Sequence, residues 1–412
     1  MKHLTVLLAF AVLTGCGSGT GVEPQAITDV PSIHKQALVI DAHADIEIPG
    51  KYSAYVGDDG LSQIAPEKMR QGNVDAAVMA IGVSLVPRTA EGYQAARARA
   101  DEELNAVLEL TRRNEDFVLA RSPDELTAAQ KESQHALILG FQNAAILAKD
   151  VNRIDAFFDQ GVRVFALTHL GHNTFADSSR PDFVKETGKH EPEAEHGGLS
   201  ELGREAVRRV NALGAVLDVS QLSKQATLEM VELSQAPVIA SHSNVRALTD
   251  VTRNLSDEEI DAIAAKGGVV HVSPFRGYLY DSNDEALDAN IRAARREAGI
   301  TEDYYYPFEL YWEIEDKDVK NKFVGAISSL MGAGSIDALV GHIDYIAKRV
   351  GVDHVGFGSD YNHGGGIAEL KDASEAQNLT SHLLERGYSE TDINKFWGGN
   401  FLRVWRQARR KL

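Results

Sequence analysis

The stretch Ala37-Leu-Val-Ile-Asp-Ala-His-Ala-Asp45 starts as an apolar run and ends in chemistry. An apolar run of this kind, without polar alternation, reads as a strand buried on both faces, as in a parallel sheet. Side chains two apart on a strand point the same way, so His43 and Asp45 can reach one ion. A short His-x-Asp pattern is common in ordinary chains. It gains meaning here because it falls at the end of the first strand.

Working outward, seven more runs share the character of Ala37 to Asp41: Val74 to Ile81, His135 to Phe141, Val162 to Leu167, Ala215 to Val219, Pro237 to Ala240, Gly268 to Val272, and His354 to Gly358. Each is bounded by glycine or polar residues. Helical patterns lie between them, for example Gly92 to Arg113, Ser200 to Leu213, Ser223 to Leu233 and Ser256 to Lys266. The last opens with a capping box, Ser256-Asp-Glu-Glu259, in which serine and glutamate satisfy each other's backbone N–H. Eight buried strands joined by helices predict an α/β protein, a TIM-like (β/α)8 barrel with insertions. The barrel is expected over residues 37–408 as a single domain. Two stretches break the alternation. Asn173 to Gly198 is polar and reads as a long functional loop, and residues 275–330 read as a cap or partner-contact insertion.

The composition fits a soluble, folded chain. Of 412 residues, 60 are acidic and 42 basic, giving a formal charge of −18. Nucleic-acid binding needs basic clusters and is not expected. One cysteine excludes an intramolecular disulfide framework and a thiolate-rich metal site. Fourteen histidines keep metal and acid–base chemistry open.

That cysteine lies in the leader. Met1-Lys2-His3 is a basic start, and Leu4 to Leu13 is apolar but too short to span a bilayer, which takes about 20 residues. This is signal-peptide anatomy. Leu13-Thr14-Gly15-Cys16 reads as a bacterial lipobox, so residues 1–16 are expected to be the lipoprotein signal, with Cys16 the lipidated residue. Residues 17–36 are expected to be a tether. Gly17, not aspartate, follows Cys16, which points to the outer membrane. The rest of the chain is then exported and faces the periplasm.

Barrel chemistry gathers at the carboxyl ends of the strands. Strand one leads into His43 and Asp45, strand three into Gln142-Asn143, and strand four into Thr168-His169. Strand five leads to Gln221, strand six to Ser241-His242-Ser243, and strand eight to Ser359-Asp360. Histidines and carboxylates on one rim are what a hydrolytic metal centre needs. His172, His190, His196 and His363 lie in loops and are expected to be solvent-exposed.

These residues, in this order, resemble the membrane (renal-type) dipeptidases, zinc peptidases of the amidohydrolase-like, metal-dependent-hydrolase barrels. The anchors are Ile40 to Asp45, Leu167 to Asn173 with Ala176-Asp-Ser178, Ser241-His-Ser243 with Arg253-Asn254, Gly356 to Asp360, and Gly398 to Arg403. The resemblance implies hydrolysis of dipeptides or similar peptide-like amides. It implies His43 and Asp45 as ligands of a first zinc, and His242 as a ligand of a second. Asp360 is implied at the first metal, handling a proton, and His169 as the donor to the oxyanion. Arg253, with Asn254, is implied at the substrate's carboxylate. It further implies a homodimer, for which the tyrosine-rich Tyr304 to Tyr311 is an interface or a buried aromatic cluster.

Two positions depart from the family pattern. The bridging glutamate after strand three is Gln142 here, and a histidine after strand five is Gln221. A glutamine offers one neutral carbonyl oxygen and cannot bridge two dications as a carboxylate does. An amide is also a poor zinc ligand beside an imidazole. Three functions follow: a hydrolase with one zinc, a different periplasmic maturation reaction on the same scaffold (dipeptidase-like proteins serve in siderophore maturation), or a metal-free binding protein for small carboxylates.

Overall fold

The computed structural model describes residues 29–184, 189–299 and 316–410. The leader, the lipobox and Tyr304 to Tyr311 lie outside the described residues. The barrel strands are β1 Ile40–Asp45, β2 Ala76–Gly82, β3 His135–Gln142, β4 Val162–Ala166, β5 Val216–Asp218, β6 Ile239–Ala240, β7 Val269–Val272 and β8 Val355–Phe357. They pair in chain order, all parallel. The circle is drawn together between the first and last strands. Asp45 N–H donates to the Tyr361 carbonyl and Asp360 N–H to the His43 carbonyl, each at 2.9 Å. The eight runs of the sequence are these eight strands, and the (β/α)8 barrel is present.

The barrel buries two apolar layers. One cluster joins Ile40, Ala42, Val78, Ile138, Val164, Val216, Ile239 and Val269 with Phe401 and Trp405. It fills the inside, and the helix Asn400–Arg409 plugs the lower end. The alternate strand positions, such as Met79, Leu139 and Phe165, pack outward on the helices through Ala100, Leu104, Val207 and Ile263. Burial of this apolar area is the main stabilising term.

The structure adds three features. Phe117–Leu119 is a further strand, pairing in parallel with β3 outside the barrel order. Three residues are too few to show a period. Residues 30–36, expected within the tether, form a helix whose His34 is fully buried. Its ring joins Thr380 Oγ1 at 2.7 Å and the Gly72 carbonyl at 2.8 Å, so the packed structure begins before the first strand. The stretch after Val272 builds the helices Glu285–Glu297 and Lys317–Met331 over a small core of their own. Tyr278, Tyr280, Ile291, Phe323 and Ile327 form it, with Val251.

Candidate active site

The carboxyl ends of β1, β6 and β8 bring three ligand-type side chains together. Ligand atoms of His43, His242 and Asp360 all lie within 4.8 Å of one another, and all three residues are buried. The register of β1 shifts between Asp41 and Ala44, so simple alternation does not carry through to His43. Asp41 stabilises this irregularity. Its carboxylate accepts from the N–H of His43 at 3.1 Å and from the N–H and hydroxyl of Ser359 at 2.7 and 2.5 Å. Burial pushes the Asp41 carboxyl up to about 6, partly offset by these bonds.

Ser241 sets the tautomers of both histidines. Its hydroxyl proton goes to Asp218 Oδ2 at 2.5 Å, so its oxygen can only accept from ring nitrogens. His242 Nδ1 stands 2.7 Å away and His43 Nδ1 3.4 Å. Both rings therefore carry hydrogen on Nδ1 and turn their Nε2 lone pairs away from Ser241; that of His43 has no hydrogen-bond partner. The rings stack, with centroids 3.7 Å apart. Such a carboxylate–serine–histidine relay is the outer support that metal-binding histidines use.

His43 Nε2 faces Asp45 Oδ1 at 3.3 Å, yet no hydrogen bond joins them, and neither buried atom has another partner. Two acceptors facing each other call for a cation between them. A proton would serve. Burial opposes it, but the Asp45 carboxylate held against the ring, which would accept that proton, and the charges of Asp45, Asp360 and Asp218 outweigh burial and raise the His43 pKa. A metal would serve equally, and nitrogen and carboxylate donors suit zinc. Asp360 takes φ = +56° at the end of β8, and burial raises its carboxyl.

His363, expected in solvent, is brought into the site. Its Nδ1 stands 2.8 Å from Asp45 Oδ2, and its side chain is 35% exposed. Burial would lower its pKa, but the Asp45 charge overrides this and lifts it to about 9. The same pairing holds Asp45 well below the usual carboxylate range against its own burial. His169 packs edge-on against His363, with centroids 4.9 Å apart. Burial, with the His363 and Arg180 charges, holds His169 well below its ordinary pKa, so its ring is neutral. Its Nδ1 is buried without a partner.

The two glutamines sit where expected, at the ends of β3 and β5. Gln142 is buried and its Nε2 has no partner. Gln221 stands on His242, with Nε2 to Nε2 at 3.2 Å, and its Oε1 accepts from Arg180 Nη2. Arg180 was not singled out in the sequence. Burial and the charges of His43 and Arg253 lower His242 well below its ordinary pKa.

Arg253 is buried against this group. It donates to Ser243 Oγ at 2.9 Å and to the His242 carbonyl, and lies over the Tyr278 ring at 5.3 Å. Asn254, expected at the substrate, gives its NH2 to the loop framework, while its Oδ1 is buried without a partner. Its amide donates to the carbonyls of Thr249 and Tyr278 at 3.0 and 3.1 Å. Chain reversal there leaves carbonyls that a side-chain donor must satisfy. His172, also expected in solvent, is buried, joining the Ser178 N–H at 3.0 Å and the Pro192 carbonyl at 2.8 Å. The His190 side chain lies outside the described residues. His196 is half-buried, on the Asn173 carbonyl at 2.8 Å.

A pocket of about 530 Å³ opens beside this cluster, between the ends of β1, β2 and β3. Asp45, Gln142, His169 and His363 line it, with Tyr55 and Glu103. Glu103 accepts from Arg99 and from the Gly82 N–H, at 2.6 and 2.8 Å, while burial pushes its carboxyl up to about 8. That volume suits a small molecule rather than a folded chain.

Fold and site together define a (β/α)8 barrel with a cluster of metal-ligand-type histidine and carboxylate side chains at the carboxyl rim. The chain belongs to the membrane dipeptidase family (peptidase family M19), whose pattern matches residues 27–411. The family's enzymes are metallopeptidases, and the triad above is a place where an ion fits. Among solved structures, the chain is similar to the probable dipeptidase PvdM from Pseudomonas aeruginosa. The two are 33% identical with a TM-score of 0.81, over 93% of this chain and 98% of that one. It is also similar to dipeptidase tcpJ of Claviceps purpurea, 24% identical over 294 residues. That match covers 70% of this chain and 55% of tcpJ, so the chain spans little more than half the length of this curated relative. A metallo peptidase from Rhodobacter sphaeroides, solved with a phosphinate mimic of the dipeptide L-Ala-D-Ala, shares the fold. It is 19% identical with a TM-score of 0.68, over 90% of this chain and 99% of that one.

Proposed function

We infer that this chain is an exported, lipid-anchored hydrolase that cleaves a dipeptide, or a peptide-like amide of that size, with one zinc ion. The observation that carries the reading is the pair of bare, buried acceptors, His43 Nε2 and Asp45 Oδ1, beside Asp360 and His242. His43, Asp45 and Asp360 would hold the ion, giving it three protein ligands. When bound, zinc polarises an amide carbonyl and activates water.

The protein's own groups do the rest. His169 is neutral, so it can donate one hydrogen bond where negative charge develops on the substrate oxygen. Asp360 is the carboxyl placed to take and return a proton. Arg253 supplies the fixed positive charge for a substrate carboxylate. The dipeptide mimic held by the Rhodobacter sphaeroides relative supports a substrate of this size. The lipobox at Leu13 to Cys16 supports anchoring at the outer membrane, facing the periplasm.

The test is metal content of the purified protein beside hydrolysis assays with L,L- and L,D-dipeptides. One bound zinc with turnover is expected. His169→Asn is expected to lose about 10²–10³ in kcat with little change in KM or zinc content. Bound zinc without dipeptide turnover assigns another reaction to this pocket. Absence of bound metal refutes the metalloenzyme reading in favour of a binding protein.

A further inference from the structure

We propose that the Arg180 guanidinium is a built-in cation holding the place of a second metal ion. The inference rests on the metalloenzyme reading above and extends it to residues outside the expected ligand set. Arg180 comes from the polar loop after β4 and is 6% exposed. Its backbone is fixed on both sides. Its N–H donates to Ser178 Oγ at 3.2 Å, and its carbonyl accepts from Gly171 N–H at 2.9 Å. Ser178 Oγ also donates to the His169 carbonyl at 2.6 Å, so the Arg180 loop and the His169 strand end are tied together.

The side chain reaches Tyr278 Oη at 3.3 Å through one terminal nitrogen and Gln221 Oε1 through the other. A guanidinium only donates, and it does not lose its proton in a protein. That fixes the Gln221 amide. Its oxygen must face Arg180, which turns its NH2 onto His242 Nε2 at 3.2 Å. His242 has one lone pair to give, because Ser241 fixes its hydrogen on Nδ1. The Gln221 NH2 takes it.

Both atoms that a second ion would need from β5 and β6 are therefore already used. The charge balance points the same way. A second dication at His242 would meet one carboxylate, Asp360, already committed to the first ion, and otherwise, among the described residues, the neutral donors Gln142, Gln221 and His242. It would stand between two buried guanidiniums, Arg180 on Gln221 and Arg253 on the His242 carbonyl. Gln221 is thus the matched partner of Arg180, and a single substitution at position 221 does not rebuild a metal site. Arg180 supplies one positive charge, placed by the fold, where an ion would supply two.

The experiment counts zinc per chain after equilibration with excess zinc and gel filtration, with circular dichroism as the check on folding. Wild type and Gln221→His are expected to hold one ion. Arg180→Leu/Gln221→His is expected to hold two, and Arg180→Lys/Gln221→His to return to one because the charge is kept. Gln221 has φ = +71°, a region that histidine visits more readily than most residues. A second ion in wild type or in Gln221→His overturns the inference. So does a folded Arg180→Leu/Gln221→His that stays at one ion. Zinc-soaked crystals of wild type give a readout that needs no variant: one anomalous peak at His43 is expected, and a peak in contact with His242 and Gln221 refutes the proposal. A wild type without zinc at any concentration refutes the metalloenzyme reading, and this inference with it.

Discussion

Ser241→Ala removes one buried oxygen on which two imidazoles and one carboxylate depend. Ser241 Oγ is 2.5 Å from Asp218 Oδ2, 2.7 Å from His242 Nδ1 and 3.4 Å from His43 Nδ1. Asp218 Oδ1 keeps the N–H groups of Ser220 and Ser241, at 2.9 and 3.0 Å, so the strand ends stay in place. The loss is then local. A hydrogen bond to a charged group contributes about 1.5–3 kcal/mol to stability. Loss of the outer support of a metal-bound histidine lowers affinity about 10–100-fold, or roughly 1.4–2.7 kcal/mol. Ser241→Ala should therefore melt at lower temperature and bind zinc 10–100-fold more weakly. Competition against a chromophoric chelator measures this. Ser220→Ala is the control. Ser220 Oγ accepts from the His242 N–H at 3.1 Å and meets Ser243 Oγ at 3.1 Å, touching neither ring. Equal zinc affinity in Ser241→Ala and wild type would refute the tautomer argument and the placement of the ion on His43 Nε2.

Two predictions concern the frame that holds the site. His342 is buried in the helix Ile336–Val350, and its Nδ1 accepts from the Val245 N–H at 3.0 Å. Burial holds it down at about 3, against 6.5 in the unfolded chain. The unfolded state therefore binds the extra proton, and stability is lost as pH falls from 6.5 toward 3, by at most about 1.4 kcal/mol per pH unit. His342→Asn keeps an acceptor and removes the titration. The wild-type-minus-variant stability difference, from denaturant melts, should shrink on acidification, and a pH-independent difference would sink the argument. At Gly358, a Cβ would stand 1.8 Å from the Ser241 carbonyl oxygen, so backbone must move where β6 and β8 deliver Ser241 and Asp360. Gly358→Ala should cost at least about 1–3 kcal/mol, the cost of overpacking. Circular-dichroism melts test it, and an unchanged melting temperature would show that the strand ends yield freely.

What was legible in the sequence follows from what each residue needs. His43, Asp45, His242 and Asp360 end apolar runs, and a strand end in a barrel faces the rim whatever the rest of the chain does. Asp41 and Asp218 carry a signal of their own in the sequence. An acid inside an apolar run is costly to bury unless something donates to it. The donors turned out to be Ser359 for Asp41, and Ser241 with the Ser220 N–H for Asp218. His363 and Arg180 carried no such signal, because they stand in polar loops whose composition resembles solvent-exposed sequence. Asn254 shows how the loop divides one side chain. Adjacent to Arg253 in the chain, it is turned by the loop toward unpaired carbonyls.

By itself the sequence determined the barrel, the order of its strands, the rim on which chemistry gathers and the two glutamines that break the ligand pattern. Local patterning suffices for these, since burial on both faces and helical periodicity are properties of neighbouring residues. Only the tertiary structure decided which polar groups meet. It set His363 on Asp45, Ser241 on His43 and Arg180 on Gln221, residues separated by tens to hundreds of positions. Loop paths bring them together, and hydrogen-bond donors and acceptors then fix each ring and amide.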